Sequence, residues 1–380
     1  MSGGFADEVA IVGWAQTEHC RRAEDTPMGL INRVVLDSLA SCNMSIREIE
    51  VIVDAGSDFL DGTATSAGLA VDACGAHFKS LIRVAGDGLV AAVYALLRIA
   101  SGVADSAIVV SYGKSSESDI AEQARACAEP FFTRPTGIDA VSAAALQESA
   151  YLGRYGISRD ACADVVVKNR ASGEKNPFAQ LRSPVTRDEA LSSPDWTHPI
   201  RKLEVSPASD GACALVMVEG GVAEKLCVEP AWVTGVGHSM DSHYIGARDL
   251  HRAQAAAKAA AMAKEMAGVS DAAEIDAFEM CEFFAFQELM FYEAMGLCSE
   301  GEGPDFLSEQ VRSGGLLLNP SGGALCANPL PATGLVRLAD AAALVTGRTA
   351  SQSGRAKRAM AIGNNGLAMQ SSACMILESS

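Results

Sequence analysis

Apolar and polar positions along this chain follow two periods. Short apolar runs that fit buried strands occur at residues 9–13 (VAIVG), 51–53 (VIV), 79–84 and 107–110 (AIVV). Between them, residues 28–40 and 89–99 (LVAAVYALLRI) carry the three-and-four spacing of helices, the second closed by Ser101-Gly102. Strands alternating with helices predict an α/β protein whose mixed or mostly parallel sheet is covered on both faces. The same order returns after residue 230, where 231–235 (AWVTG) answers 9–13 and the alanine-rich 253–266 answers 28–40. Glu48-Ile49-Glu50-Val51-Ile52 and Glu274-Ile275-Asp276-Ala277-Phe278 each enter a strand after a helix and a short turn, which predicts an internal duplication. Residues 115–205 break the pattern as an insertion that gathers Lys168, Arg170, Lys175, Arg182, Arg187, Arg201 and Lys202. The predicted organisation is 1–114 with 206–227 as one half, 115–205 as an inserted loop domain, and 228–380 as the second half.

Composition narrows the function. The 380 residues are 49% hydrophobic and 20% charged, enough apolar matter for a large core and too little charge for a disordered chain. With 47 acidic against 30 basic residues the net charge is −17, which argues against a nucleic-acid or anionic-membrane surface. A local basic pocket for a phosphorylated ligand remains compatible, and the insertion is where it would sit; the alternative is a solvated helical face. Eleven cysteines without a CxxC pair predict neither a disulfide framework nor structural zinc, and His238, His243 and His251 have no metal-ligand context. The acidic start, Met1 to Glu8, and the lack of an apolar run of ~18–20 residues predict a cytoplasmic chain with no leader and no membrane span.

Four ordered motifs carry a resemblance. Ala85-Gly86-Asp87-Gly88 follows a strand and opens the long apolar helix that closes at Gly102. Ser206-Pro207-Ala208-Ser209-Asp210-Gly211-Ala212 is similar to a central SxxxDGA segment. Glu279-Met280-Cys281-Glu282-Phe283-Phe284, then Tyr292-Glu293-Ala294-Met295-Gly296-Leu297-Cys298 and Gly301-Glu302-Gly303, is similar to HDCF…YEALGLC…GxG. Asn319-Pro320-Ser321-Gly322-Gly323, then Asn328-Pro329-Leu330 and Ala332-Thr333-Gly334, is similar to NPSGG…GHPLGATG. In this order and over essentially the whole chain, they resemble the thiolase superfamily, in its sterol-carrier-protein and lipid-transfer-like branch. The resemblance implies a duplicated five-layer αβαβα fold with an inserted loop domain in the N-terminal half. It also implies a homodimer, an acyl-coenzyme A substrate attacked at its Cα–Cβ bond, and in this branch a small OB-fold zinc-ribbon partner and a bulky aromatic or steroid acid.

Carried over residue by residue, the resemblance puts Ala85 where the family has its nucleophilic cysteine, so no acyl-enzyme can form there. Cys281 and Asn328 stand where histidines are usual, and Gly363-Asn364-Asn365-Gly366 replaces the last cysteine or histidine motif. Asn328 and Asn364 retain amide hydrogens for a thioester oxygen. Asp87 is a candidate base, or a helix cap. Cys281 and Cys326 are candidate relocated nucleophiles, or buried small hydrophobes, and Glu282 a candidate base, or a surface carboxylate. Ser206, Pro207, Arg170 and Arg182 are the candidate coenzyme A contacts, and no metal is expected in this chain. Two functions compete: a thiolase-type or retro-aldol enzyme on a β-keto- or β-hydroxyacyl-CoA, and a non-catalytic acyl-CoA-binding or scaffold subunit.

Overall fold

The computed structural model describes residues 8–62, 67–226, 228–350 and 354–379. Residues 1–7, on which the leader argument rested, and Cys227 lie outside the described residues. Each apolar run becomes a strand. The first half contains β1 (Val9–Gln16), β2 (Val51–Gly56), β3 (Ser80–Ala85) and β4 (Ser106–Lys114). A separate ribbon of β5 (Asp195–Thr197) and β6 (Ile200–Arg201) belongs to the insertion, after which β7 (Asp210–Glu219) returns to the first half. The second half contains β8 (Ala231–Met240), β9 (Ala277–Met280), β10 (Leu317–Leu318), β11 (Arg358–Asn365) and β12 (Ser371–Glu378).

The two halves repeat one topology. Their strand orders are β3-β2-β4-β7-β1 and β10-β9-β11-β12-β8, joined through β1 and β8 into a ten-stranded mixed sheet. β2 runs parallel to β3 and β4 as β9 does to β10 and β11, while β7 is antiparallel to β1 and β4 as β12 is to β8 and β11. The local sequence match falls at equivalent places. Ser45 caps the turn Ile46–Glu48 before β2, and Asp271 caps Ala272–Glu274 before β9, each closing a reciprocal box with the glutamate three residues on.

Five layers follow from which faces are apolar. The helices Gly88–Ala100 and Thr333–Thr346 lie between the halves, where Leu89, Leu96, Leu335 and Leu338 share one core with Val53, Val109, Ala361 and Met375. Being covered on both sides, they are apolar nearly all round. Helix Pro27–Ser41 covers the outer face of the first half through Leu30, Ile31 and Val34 against Ile108 and Val216. Gln254–Ala267 and Ala285–Met295 cover the outer face of the second, over Phe278, Ile362 and Cys374. Glycines let the alanine-rich helix sit directly on β8: a Cβ at Gly235 would stand 2.2 Å from the Ala263 carbonyl oxygen.

The insertion between β4 and β7 holds helices Ile120–Cys127, Ala140–Tyr155, Ala161–Gly173 and Arg187–Ser192. Much of its basic charge is spent inside the fold rather than presented to a ligand. Lys168 Nζ reaches Glu288 at 2.5 Å and the Leu318 carbonyl at 2.8 Å. Arg187 pairs with Asp164, Arg201 with Glu204 and Asp160, and Arg182 with Glu18, all within 2.9 Å. Among the described residues no helix is long and apolar enough to cross a membrane.

Candidate functional site

β3 ends at Ala85, which is exposed, and Gly86 then takes φ +149°. That bend delivers Asp87 to the start of helix Gly88–Ala100. Its carboxylate is 3% exposed and accepts the Leu89 N–H through Oδ1 and the Gly334 N–H through Oδ2, both at 2.9 Å. One side chain thus holds the N-termini of both central helices, one from each half, where helix dipoles favour a negative group. Burial nevertheless pushes its pKa up to about 7, against the lowering effect of the Leu89, Gly334 and Gly88 N–H groups. A Cβ on Gly363 would stand 2.5 Å from Asp87 Oδ1, so the end of β11 closes on this carboxylate without a side chain between them.

Cys281 follows β9 and is fully buried, its N–H donating to the Ile362 carbonyl at 3.0 Å. Burial and then the Asp87 charge push its thiol well above the usual range, while the Asn364 backbone N–H points toward the sulfur. Asn364, near the end of β11, is 2% exposed, and neither Oδ1 nor Nδ2 has a hydrogen-bond partner among the described residues. A buried unpaired amide group costs about 1–3 kcal/mol, so a fold that keeps one calls for an explanation. Ser372, its register partner on β12, leaves its Oγ unpartnered as well. Asp87, Cys281 and Asn364 therefore meet at the joint of the two central helices, while Ala85 stays at the exposed end of β3, next to Gly86, where a Cβ would lie 3.0 Å from Asn365 Nδ2.

Asn328 is placed differently. Its Nδ2 donates to Ser206 Oγ at 2.9 Å, its Oδ1 accepts from Thr333 Oγ1 at 2.6 Å, and its backbone N–H donates to Ser209 Oγ at 3.0 Å. Ser206 is itself pinned by its N–H to the Phe283 carbonyl, and half-buried Pro207 follows it. Asn328 thus stitches the Ser206 segment to the loop before helix Thr333–Thr346 and keeps one amide hydrogen.

Glu282 and Cys326 face the insertion. Glu282 is fully buried and accepts from Asn169 Nδ2, Asn319 Nδ2 and the Leu325 N–H at 2.9–3.1 Å. Burial and the neighbouring Glu288 raise its pKa. The Cys326 thiol donates to the Asn169 carbonyl at 3.2 Å and is pushed by burial to about 12. Half-buried Arg170 lies on the same helix as Asn169, and Arg182 is held by Glu18 on the surface. Arg337 was not among the sequence-derived candidates. It is 1% exposed between Glu279 at 3.2 Å and Asp340 at 3.1 Å, with Ser321 Oγ at 2.5 Å, and its charge acts on Cys281. Its signal was an arginine and, three residues on, an aspartate inside a helix that is apolar at most other positions. Among the described residues no group of three or more His, Cys, Asp or Glu side chains is placed to hold a metal ion.

Comparison with known proteins adds the family. Residues 237–379 match the family described as thiolase C-terminal domain-like. The acetyl-CoA acetyltransferase of Methanothermobacter thermautotrophicus is 28% identical over 64% of this chain and 65% of its own length. Sterol carrier protein 2 of Gallus gallus is 27% identical over 50% of this chain and 36% of its own length, so the chain spans from about a third to under two thirds of these two relatives. The benzoylsuccinyl-CoA thiolase subunit BbsB of Thauera aromatica is 27% identical over 63% of both chains. Among solved structures, one titled as an Ltp2-ChsH2(DUF35) aldolase superposes with TM-score 0.86 at 21% identity, covering 99% of this chain and 98% of that one. A monomeric SCP2-thiolase-like protein type 1 from Mycobacterium smegmatis superposes with TM-score 0.74 at 18% identity, over 98% of this chain and 77% of that one. The repeated strand order, the five layers and the family match agree: residues 237–379 belong to the thiolase C-terminal domain-like family, and the chain as a whole is similar to the sterol-carrier-protein-like branch of the thiolase superfamily.

Proposed function

We propose that this chain cleaves the Cα–Cβ bond of a β-hydroxyacyl-CoA by a retro-aldol reaction, or forms it in reverse, with no acyl-enzyme. The observation that carries this reading is the unpartnered Asn364 amide, buried next to Cys281, in a chain whose sequence puts the methyl group of Ala85 at the nucleophile position. A thiolase-type path needs a thiolate, and burial works against one by pushing the Cys281 thiol well up and the Cys326 thiol to about 12. A retro-aldol path needs a base for the hydroxyl and a donor for the enolate.

Asp87, with its pKa near 7, takes the β-hydroxyl proton. The oxygen lone pair becomes the new C=O as the Cα–Cβ bond breaks, and that bonding pair passes into the thioester to give an enolate. Asn364 Nδ2–H holds the enolate oxygen, a type of contact worth about 10²–10³ in kcat. The Cys281 thiol gives its proton to Cα as Asp87 returns the hydroxyl proton to the same sulfur, so that no free thiolate builds up. The products are a ketone or aldehyde and a shortened acyl-CoA, with both side chains restored.

The same proposal includes a homodimer, which the unpaired outer edge of β3 would suit. It also includes a small OB-fold zinc-ribbon partner and a bulky aromatic or steroid acyl group. The two components of the aldolase of similar fold and the subunit name of the benzoylsuccinyl-CoA relative support assembly with a partner. The test supplies matched panels of β-hydroxyacyl- and β-ketoacyl-CoA esters, with and without any co-purifying small subunit, and follows products. Cleavage of hydroxy esters to a carbonyl compound without added thiol is expected. Coenzyme A-dependent thiolysis of keto esters alone would sink the proposal, and binding without turnover of either would favour a carrier.

A further inference from the structure

A positive charge sits inside the central layer, and the reaction proposed above gives it nothing to do. Arg337 belongs to helix Thr333–Thr346 and is 1% exposed. Its guanidinium reaches Glu279 at 3.2 Å and Asp340 at 3.1 Å, and donates to Ser321 Oγ at 2.5 Å. Each partner is fixed from elsewhere. Ser321 donates its Oγ–H and its N–H to the two oxygens of Glu279 at 2.6 and 3.1 Å. Gln16 Nε2 donates to Asp340 at 2.8 Å, and its Oε1 lies 3.1 Å from His19 Nε2. Strand β9, the Asn319 to Gly323 motif and its own helix thus hold the guanidinium in one place.

Two relations tie this charge to the site. Gly334, whose N–H holds Asp87, lies three residues before Arg337 on the same helix, so the two share a side of it. Glu279 and Cys281 lie two residues apart along the line of β9 and so turn to the same face. The charged and titratable groups that face Arg337 are Glu279, Cys281 and Glu282 from β9 and the residues after it, Asp340 from its own helix, and His19 from the loop after β1. Burial raises the Cys281 thiol most, and the Asp87 and Glu282 charges add to it; the Asn364 N–H and the Arg337 charge work against them. Nor is the ion group an efficient way to gain stability. Desolvation offsets most of the attraction between buried charges, and here burial pushes Glu279 up to about 7 and raises Asp340 as well.

We infer that Arg337 is a positioning residue of the carbon–carbon cleavage: a fixed positive charge that offsets the negative charge building on the Cys281 sulfur while its proton passes to Cα and the proton from Asp87 arrives. Arg337 itself touches no substrate and gives up no proton. This role rests on the retro-aldol reading above.

The experiment separates charge from framework with two variants of the full chain. Arg337→Gln/Asp340→Asn removes the cation together with one carboxylate and keeps an amide oxygen for Gln16, so no charge is left newly unpaired by the change. Arg337→Lys keeps the cation and loses the planar fork that binds Glu279, Ser321 and Asp340. Both are followed by thermal denaturation, and by kcat, KM and the solvent deuterium isotope effect on the β-hydroxyacyl-CoA esters that the wild-type chain cleaves. The double variant should melt near wild type, lose kcat about tenfold or more at unchanged KM, and show a larger isotope effect because proton transfer through Cys281 has slowed. The lysine variant should melt earlier, yet recover most of the kcat that the double variant loses. A purely structural arginine gives the opposite pattern. Turnover in both variants then follows the melting temperature with the isotope effect unmoved, a result that overturns the inference and leaves the retro-aldol reading standing. Should the double variant not fold, the lysine variant decides alone: early melting with kept turnover supports the role, and turnover lost in step with stability overturns it. A wild-type chain that cleaves no hydroxy ester sinks the reading and the inference together.

Discussion

Two asparagines, Asn328 and Asn364, fall in motifs singled out by the sequence, and the structure treats them in opposite ways. Around Asn328 every polar neighbour is answered, by Ser206, Ser209 and Thr333. At Asn364 neither side-chain amide atom is answered among the described residues, although it is just as deeply buried. A bonded buried amide gains its net stabilisation from the bonds it makes, while an unbonded one carries a desolvation cost with no structural return. The contrast separates an amide spent on stitching two segments together from one left unpaired among the described residues, the one to which the proposal gives a ligand atom. The same division applies to the carboxylates: Glu282 is enclosed by donors against the insertion, while Asp87 faces the site as it caps two helices.

The largest effect expected is on turnover. Asn364→Ala should lower kcat by about 10²–10³ while leaving the melting temperature unchanged or higher, since it removes a donor needed only in the transition state. Asn328→Ala should do the reverse first, costing about 1–3 kcal/mol of stability by orphaning its partners. Paired activity and thermal-denaturation measurements decide this, and an Asn364 variant that melts early without losing turnover breaks the comparison. Next in size is Asp87. Asp87→Ala should lose stability by about 1–2 kcal/mol per cap, whereas Asp87→Asn, which keeps a carbonyl oxygen for one N–H, should stay closer to wild type in stability and still lose turnover.

A smaller effect concerns pH. Burial raises Asp54 to about 6, Asp87 to about 7 and Glu148 to about 8 in the fold, from ordinary values of 3.8 to 4.5. The native state then holds protons that the unfolded chain has released, so these groups stabilise at low pH and their contribution is lost as pH rises through 6 to 8. His19, lowered to about 3 by burial, works the opposite way, but only up to its ordinary 6.5. The melting temperature should therefore fall between pH 6.5 and 8.5, and Asp87→Asn should flatten part of that fall. A rising profile would contradict the burial assigned here. The smallest effect is at Cys326, whose thiol faces Asn169. Cys326→Ser should leave turnover near wild type, and in the native chain iodoacetamide should reach exposed Cys127 well before Cys281 or Cys326.

The fold was legible in the chain because its cause is local and repeated. Apolar runs at 9–13 and 231–235 mark equivalent strands, and the matched turns before β2 and β9 carry the same serine- or aspartate-to-glutamate box. The all-round apolar character of 89–99 already described a helix covered on both sides. The site was legible only in part. The elbow at Ala85 and the positions of Cys281, Asn328 and Asn364 follow from the motifs, but which asparagine is bonded depends on Ser206, more than a hundred residues earlier in the chain. Charge misled in the same way. Lys168 and Arg201 read as free cations until Glu288 and Glu204 are seen beside them. Glu282 and Cys326 adjoin active-site motifs yet turn toward the insertion, a direction fixed by Asn169 and Asn319 rather than by the residues beside them.

The central claim is carbon–carbon cleavage without a covalent intermediate, with Asn364 as the waiting donor. The most direct test records the mass of the intact chain, quenched during steady turnover of a β-hydroxyacyl-CoA, for wild type and Asn364→Ala. The account predicts product release with no mass added to the wild-type chain, and loss of product in the variant with no adduct in its place. An acyl group on Cys281 or Cys326 that forms and decays at the rate of turnover would contradict it.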